Sequence, residues 1–204
     1  MSDPDLDAAV QAVSESKLVV LPTDTVYGIG ANAFSPNAVN ALLAAKGRGR
    51  DMPVPVLVGS WDTVDGIASS VSADARELIE AFWPGPLSLV LTQVPTLAWD
   101  LGDAGGTVLV RMPLHPVALD LLARTGPMAV SSANRSGQPP ATTVQEAREQ
   151  LGSTVAVYLD GGPTPGPVPS TIVDVSQPGE APRVLRLGAV TGDRLREVVP
   201  AVVG

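Results

Sequence analysis

What most constrains this chain is the shape of its apolar runs. Lys17-Leu18-Val19-Val20-Leu21 stops at Pro22, Leu87-Ser88-Leu89-Val90-Leu91 follows Pro84-Gly85-Pro86, and Met128-Ala129-Val130-Ser131 follows Gly126-Pro127. Thr107 to Val110, Val155 to Leu159, Thr171 to Val175 and Val184 to Leu187 have the same form. Runs this short, β-branched and bounded by proline or glycine read as buried strands. Val54-Pro55-Val56-Leu57-Val58 adds another, with Pro55 pointing to an edge or a bulge.

Helical patterns lie between them. Asp3 can cap a first helix with Pro4 at its first position, and a second runs from Pro36 to Ala45. Ser72 caps a helix through Ala75, Leu78, Ile79 and Phe82, and Pro116 opens one through Leu119, Leu122 and Ala123. Thr143-Val144-Gln145-Glu146 has the form of a capping box whose helix ends at Gly152, and Thr191 begins a last short helix. Helices and strands mix without strict alternation. That pattern fits an α/β or α+β domain around a mixed sheet better than a doubly wound one. With 204 residues the chain is expected to form one domain over 1–204, with the Pro/Gly-rich stretch 161–169 as a mobile loop inside it.

Composition removes several classes of function. The net charge of −8 disfavours a protein whose main ligand is a nucleic-acid backbone. Without cysteine there are no disulfides, thiolate metal sites or cysteine nucleophiles. The acidic start Met1-Ser2-Asp3-Pro4-Asp5 is no signal peptide, and no apolar run reaches the roughly 18 residues of a membrane span, so a cytoplasmic protein is expected. His115 is the sole histidine, which rules out a histidine-based metal site by number; at a helix entry a structural role is expected for it. Gly28-x-Gly30-x-x-Ala33 matches a dinucleotide fingerprint by its letters only, because five residues separate it from the strand end at Pro22 and no helix opens at it.

The densest positive cluster is Lys46-Gly47-Arg48-Gly49-Arg50, set between a helical segment and a strand-like run. It reads either as a solvated turn or as a phosphate-binding loop. In the second reading glycine lets the backbone approach, Arg forks onto oxygens and Lys adds a point charge. Other strands also finish in small polar or cationic groups: Arg111, Ser131-Ser132-Ala133-Asn134-Arg135-Ser136-Gly137, Asp160-Gly161-Gly162, and Ser170-Thr171 after the 161–169 stretch. Each alone is an ordinary turn or part of a ligand cradle, and α/β scaffolds place ligand sites in this way.

Taken as an ordered set, these stretches resemble the YrdC family of threonylcarbamoyl-AMP synthases. The matching pieces are Pro22-Thr23-Asp24-Thr25-Val26-Tyr27-Gly28, Lys46-Gly47-Arg48 with Arg50-Asp51, Trp83-Pro84-Gly85-Pro86 and Val110-Arg111-Met112-Pro113-Leu114-His115-Pro116. Ser132-Ala133-Asn134-Arg135-Ser136-Gly137, Asp160-Gly161-Gly162, Ser170-Thr171-Ile172-Val173-Asp174 and Leu185-Arg186-Leu187-Gly188 complete the set. The resemblance implies a twisted mixed sheet with flanking helices and a concave cationic cavity, and it implies the short form of the family, without a second domain. It implies a nucleotidyl transfer in which L-threonine, bicarbonate or CO2, and ATP give threonylcarbamoyl-AMP and pyrophosphate, for the threonylcarbamoyladenosine modification of tRNA.

By resemblance Lys46 and Arg48 carry the catalytic charge on the triphosphate. Arg50, Thr107, Ser132, Asn134, Pro140 and Arg186 join them on the ATP side, with Pro140 standing where the family often has Ser. Thr25, Arg111 and Ser170 form the threonine side, Arg111 pairing the carboxylate. No metal ligand among the side chains is implied: Mg²⁺ would be held mainly by ATP phosphates. A downstream tRNA-modifying transferase is the implied partner, with no membrane. Met52 and Leu57 stand where the family often has Asn and His. A YrdC-like paralogue that binds nucleotide or RNA weakly, without synthase activity, is therefore the competing expectation.

Overall fold

The structure, a computed structural model, describes residues 3–204. In chain order the elements are α1 (Asp3–Ser14), β1 (Val19–Leu21), β2 (Gly28–Asn32), α2 (Pro36–Lys46), β3 (Val56–Leu57), α3 (Val64–Ile67), α4 (Ala73–Phe82), β4 (Leu87–Thr92) and β5 (Thr107–Arg111). Then follow α5 (Pro116–Thr125), β6 (Met128–Ser132), α6 (Val144–Leu151), β7 (Val157–Tyr158), β8 (Thr171–Asp174), β9 (Arg183–Arg186) and α7 (Gly192–Val198). The expected caps form: Ser35, Ser72 and Thr191 accept N–H bonds in the first turns of α2, α4 and α7, and both halves of the Thr143/Glu146 capping box are present on α6. The Asp3 and Pro4 side chains lie outside the described residues, and with them the expected cap of α1.

The strands join in one mixed sheet of order β7-β1-β2-β6-β3-β5-β4-β8-β9. β7–β1, β3–β5 and β4–β8 are parallel pairs and the others antiparallel. One face carries Val20, Ile29, Val56, Val110, Leu89 and Val173 into a core with α2, α4, α6 and α7. On the other face, Leu21, Met128, Val130 and Leu57 pack under Ala9 and Val13 of α1 and Leu121 and Leu122 of α5. These two helices cover only the end of the sheet around β1, β2 and β6, and beyond them the same face stays open across β5, β4, β8 and β9.

One local expectation is refined and another corrected. The polar stretch 23–30 reads as a loop or bent strand, and it divides: 23–27 is a loop, while Gly28–Asn32 is a regular strand between β1 and β6. Its glycines make it look like a turn, yet they serve packing: a Cβ on Gly28 would lie 2.6 Å from Val130 Cγ1. Pro55 does not mark an edge or a bulge either, because β3 lies at the centre of the sheet, between β6 and β5. The proline falls just before the paired residues and keeps its carbonyl in use, accepting from the Val130 N–H at 2.8 Å.

The Gly28 contact yields a test. Gly28→Ala should destabilise by about 1–3 kcal/mol, since Val130 is stiff at χ1 and must leave its preferred rotamer to make room. Adding Val130→Ala should make the double variant more stable in urea than the sum of the two single effects. Strict additivity would show that the two side chains do not meet.

Candidate active site

The open half of the sheet holds a cavity of about 290 Å³. Strand register explains its lining. Leu57 pairs with Arg111, Ser88 with Ile172, Ile172 with Arg186, and Gly28 with Ser132, so the pleat points all these side chains to one face. Thr23 and Thr25 from the β1–β2 loop, Arg48, Ser131, Pro140 and Ser170 close the rim. Arg48, Arg111 and Arg186 are its charged residues, and no carboxylate lines it. A second cavity of about 230 Å³ adjoins, lined mainly by apolar groups such as Val54, Val90, Leu101 and Leu185, and meeting the first at Leu109, Ile172 and Arg186. Thr107 stands there, its hydroxyl donating to Ala104 O at 2.7 Å.

The cationic loop is set by the end of α2. Gly47 takes a left-handed φ of +66°, and the N–H groups of Gly47 and Arg48 close the helix onto Ala44 O and Leu43 O. This stop separates the two cations. Lys46, on the last turn, is 1% exposed and points inward. Its ammonium donates to Ser132 O (2.5 Å), Asn134 O (2.5 Å) and Asn134 Oδ1 (2.9 Å), which occupies its three N–H bonds. Burial, with the Arg48 cation beside it, lowers this ammonium to about 7. The acceptors work in the opposite sense, because only the protonated amine has three donors for them. Asn134 is itself buried, its Nδ2 donating to Arg135 O and Gln138 O. Lys46 and Asn134 therefore brace the 132–138 loop from behind, while Arg48 faces the cavity with Nη1 on Ser131 Oγ at 3.2 Å.

Arg50 is not brought to either cavity. It is exposed and paired with Asp100 and Asp103, latching the cationic loop to the loop that carries Leu101. Hydrogen bonding to Asp100 raises Arg50 above, and lowers Asp100 below, their ordinary values.

Arg111 is the most enclosed of the three guanidiniums that line the cavity, 7% exposed. Its Nε donates to Gly85 O (2.9 Å), Nη1 to Thr25 Oγ1 (3.0 Å) and Nη2 to Asp24 Oδ1 (2.6 Å). The Trp83-Pro84-Gly85-Pro86 turn thus serves the site directly. Burial pulls Arg111 below its ordinary range and Asp24 opposes this. Asp24 Oδ1 also accepts the Leu114 N–H at 2.8 Å, tying Arg111 to the entry of α5. Arg186 donates through Nε and Nη2 to Ser170 O, and Nη2 reaches Ser170 Oγ at 3.3 Å. Of the expected residues, Thr25, Arg48, Arg111, Ser132, Pro140, Ser170 and Arg186 share the main cavity. Sequence reading missed Thr23 and Ser88 as lining groups. The signal for Ser88 was there, a lone hydroxyl inside an otherwise apolar strand.

Residues 11–188 match the model of a family named for Sua5, YciO and YrdC and described as telomere recombination. A Mycobacterium tuberculosis protein with the provisional name threonylcarbamoyl-AMP synthase is 62% identical over 94% of this chain and 88% of its own length. The chain belongs to the Sua5/YciO/YrdC family. The Bacillus subtilis threonylcarbamoyl-AMP synthase is 36% identical over 97% of the chain and 57% of its own length. The crystal structure of Pyrococcus abyssi Sua5 complexed with L-threonine superposes with a TM-score of 0.93 at 34% identity, covering 99% of this chain and 60% of that one. The chain thus spans about three-fifths of these two longer members of its family. No helix among the described residues is long and apolar enough to cross a membrane.

His115, expected to be structural, stands at the N-cap position of α5 without making a cap bond, its ring close against Gly161. Burial lowers its imidazole below the usual 6.5, against the pull of Asp24. The fold therefore prefers the neutral ring, and the unfolded chain binds the extra proton. Stability from this group is present above pH 6.5 and is lost as pH falls below it. As the sole histidine, His115 can be followed by proton NMR and should titrate with a midpoint below 6.5. A midpoint at or above 6.5 would contradict this burial.

Proposed function

We propose that this chain is an L-threonylcarbamoyladenylate synthase, joining L-threonine, bicarbonate or CO2, and MgATP into threonylcarbamoyl-AMP and pyrophosphate. The observation that carries the reading is the cavity with three guanidiniums and no carboxylate, in a chain whose relatives are named for this reaction. The L-threonine bound by Pyrococcus abyssi Sua5 supports the amino acid as substrate.

The chemistry suits the residues. The threonine nitrogen forms a bond to the carbon of CO2 and loses a proton, giving a carbamate. A carbamate oxygen then attacks the α-phosphorus of ATP. The bond from that phosphorus to the bridging oxygen breaks, and pyrophosphate leaves with the electron pair. The carbamate, ATP and pyrophosphate are all anionic, so the task is to bring like charges together and hold them in line. Arg111 has five N–H bonds, of which the protein uses three, leaving one on each terminal nitrogen for the threonine carboxylate. Arg48 and Arg186 face the phosphates, and the apolar second cavity with Thr107 receives the base. No protein nucleophile is required, in keeping with a chain that has no cysteine.

Mg²⁺ enters as part of the substrate. In this reading the ion keeps phosphate oxygens and water as ligands. The product is a mixed anhydride and needs an acceptor nucleophile; a tRNA-modifying transferase is the downstream partner in this reading.

Pyrophosphate release from MgATP should require threonine and bicarbonate together. Nucleotide binding that neither changes, without release, would favour a binding paralogue instead. Arg48→Ala should lower kcat/KM for ATP by about 1.5–3 kcal/mol of transition-state stabilisation, because a phosphate loses a charge-assisted bond. Unchanged turnover at saturating and limiting ATP would remove Arg48 from the site.

A further inference from the structure

Two hydroxyl pairs border Arg111, and their proton directions follow from their partners. Thr23 Oγ1 donates to Val26 O at 2.7 Å, so its proton is committed. The 3.0 Å contact between Thr23 Oγ1 and Thr25 Oγ1 must then use the Thr25 proton. Thr25 Oγ1 also accepts from Arg111 at 3.0 Å. What Thr25 shows the cavity is a lone pair, an acceptor.

At the other pair the sense is reversed. Ser88 and Ser170 are 4% and 8% exposed, both line the cavity, and their hydroxyls meet at 2.9 Å. Ser170 Oγ already accepts from Arg186, and the pair has two protons. One lies between the two oxygens, whichever of them donates. The other meets no acceptor among the described residues. The pair therefore offers the cavity one O–H and seeks an acceptor oxygen, preferably an anionic one, beside the Arg186 guanidinium.

We propose that Ser88, together with Ser170, holds a carbamate oxygen of N-carboxylated threonine. This rests on the synthase reading above. Arg111 retains two N–H bonds for the α-carboxylate, and the Thr25 lone pair takes a donor of the amino acid, its hydroxyl or the carbamate N–H. The anionic group left over is the carbamate, and the serine pair, beside the Arg186 guanidinium, is an uncommitted donor in this cavity that suits it. Ser88 holds the Ser170 hydroxyl at 2.9 Å, so the two act as one hydrogen-bonded unit.

The test compares wild type with Ser88→Ala and Ser88→Thr in pyrophosphate release, varying bicarbonate, threonine and ATP in turn. In Ser88→Ala the half-saturating bicarbonate concentration should rise about tenfold, as expected for one hydrogen bond to a charged oxygen. KM for ATP and the urea midpoint should stay at wild-type values. Ser88→Thr keeps the hydroxyl and should restore the bicarbonate dependence. If Ser88→Ala does not fold, Ser88→Cys, similar in shape but a weak donor, should show the same selective rise. Unchanged bicarbonate dependence in an active variant overturns the proposal, as does an equal rise in all three constants with a lower urea midpoint. A wild type that releases no pyrophosphate with all substrates present sinks the synthase reading itself, whereas an active wild type with an indifferent Ser88 sinks only this inference.

Discussion

A lysine ammonium taken out of water must find as many acceptors as it has protons, and the site of this protein is arranged around that requirement. Lys46 meets it with Ser132 O, Asn134 O and Asn134 Oδ1, from the end of β6 and the segment that follows it. A strand end that would otherwise lead into an ordinary polar turn is thereby held in one shape. The reciprocal bond from Ser136 N–H to Lys46 O completes the clasp. Ser131 and Ser132 are fixed at the cavity wall as a result, and Ser131 in turn holds Arg48. The cation that faces the cavity is thus positioned by one that does not.

Arg111 follows the same logic from the other side of the cavity. Its bonds run to the β1–β2 loop, to the turn before β4 and, through Asp24, to the entry of α5. Segments far apart in sequence thus converge on one guanidinium. The Asp24–Arg111 pair is almost fully enclosed, with side-chain exposures of 11% and 8%, so losing either partner would strand a buried charge. Such a pair is weak ground for stability and better ground for geometry: it fixes which two N–H bonds remain and where they point.

Much of this could be read in the sequence, and what could not has physical causes. Proline, serine and threonine at helix starts placed α2, α4, α5, α6 and α7, because a cap is a local interaction. β2 was hidden because its glycines mimic a turn, and only the side chains of β6 reveal why they are needed. The central place of β3 was hidden because strand order is a long-range property and Pro55 argues locally against it. Within Lys46-Gly47-Arg48-Gly49-Arg50 the three cations look alike in sequence. Their fates separate through the left-handed turn at Gly47 and the carboxylates of Asp100 and Asp103: one is buried, one faces the cavity, one becomes an external latch.

The two departures from the family pattern also part company in three dimensions. Met52 is 46% exposed and lines neither cavity, so the structure gives it no contact with a ligand in either. Leu57 is 5% exposed and stands beside Arg111 in register, with Val130 next to it on the same face. A methyl-bearing wall against a guanidinium lowers the local dielectric and strengthens the bonds Arg111 can still make. A hydrogen-bonding residue at this position is therefore not the only way to build the corner. Leu57 offers no polar contact and in return shields one side of the Arg111 guanidinium from water.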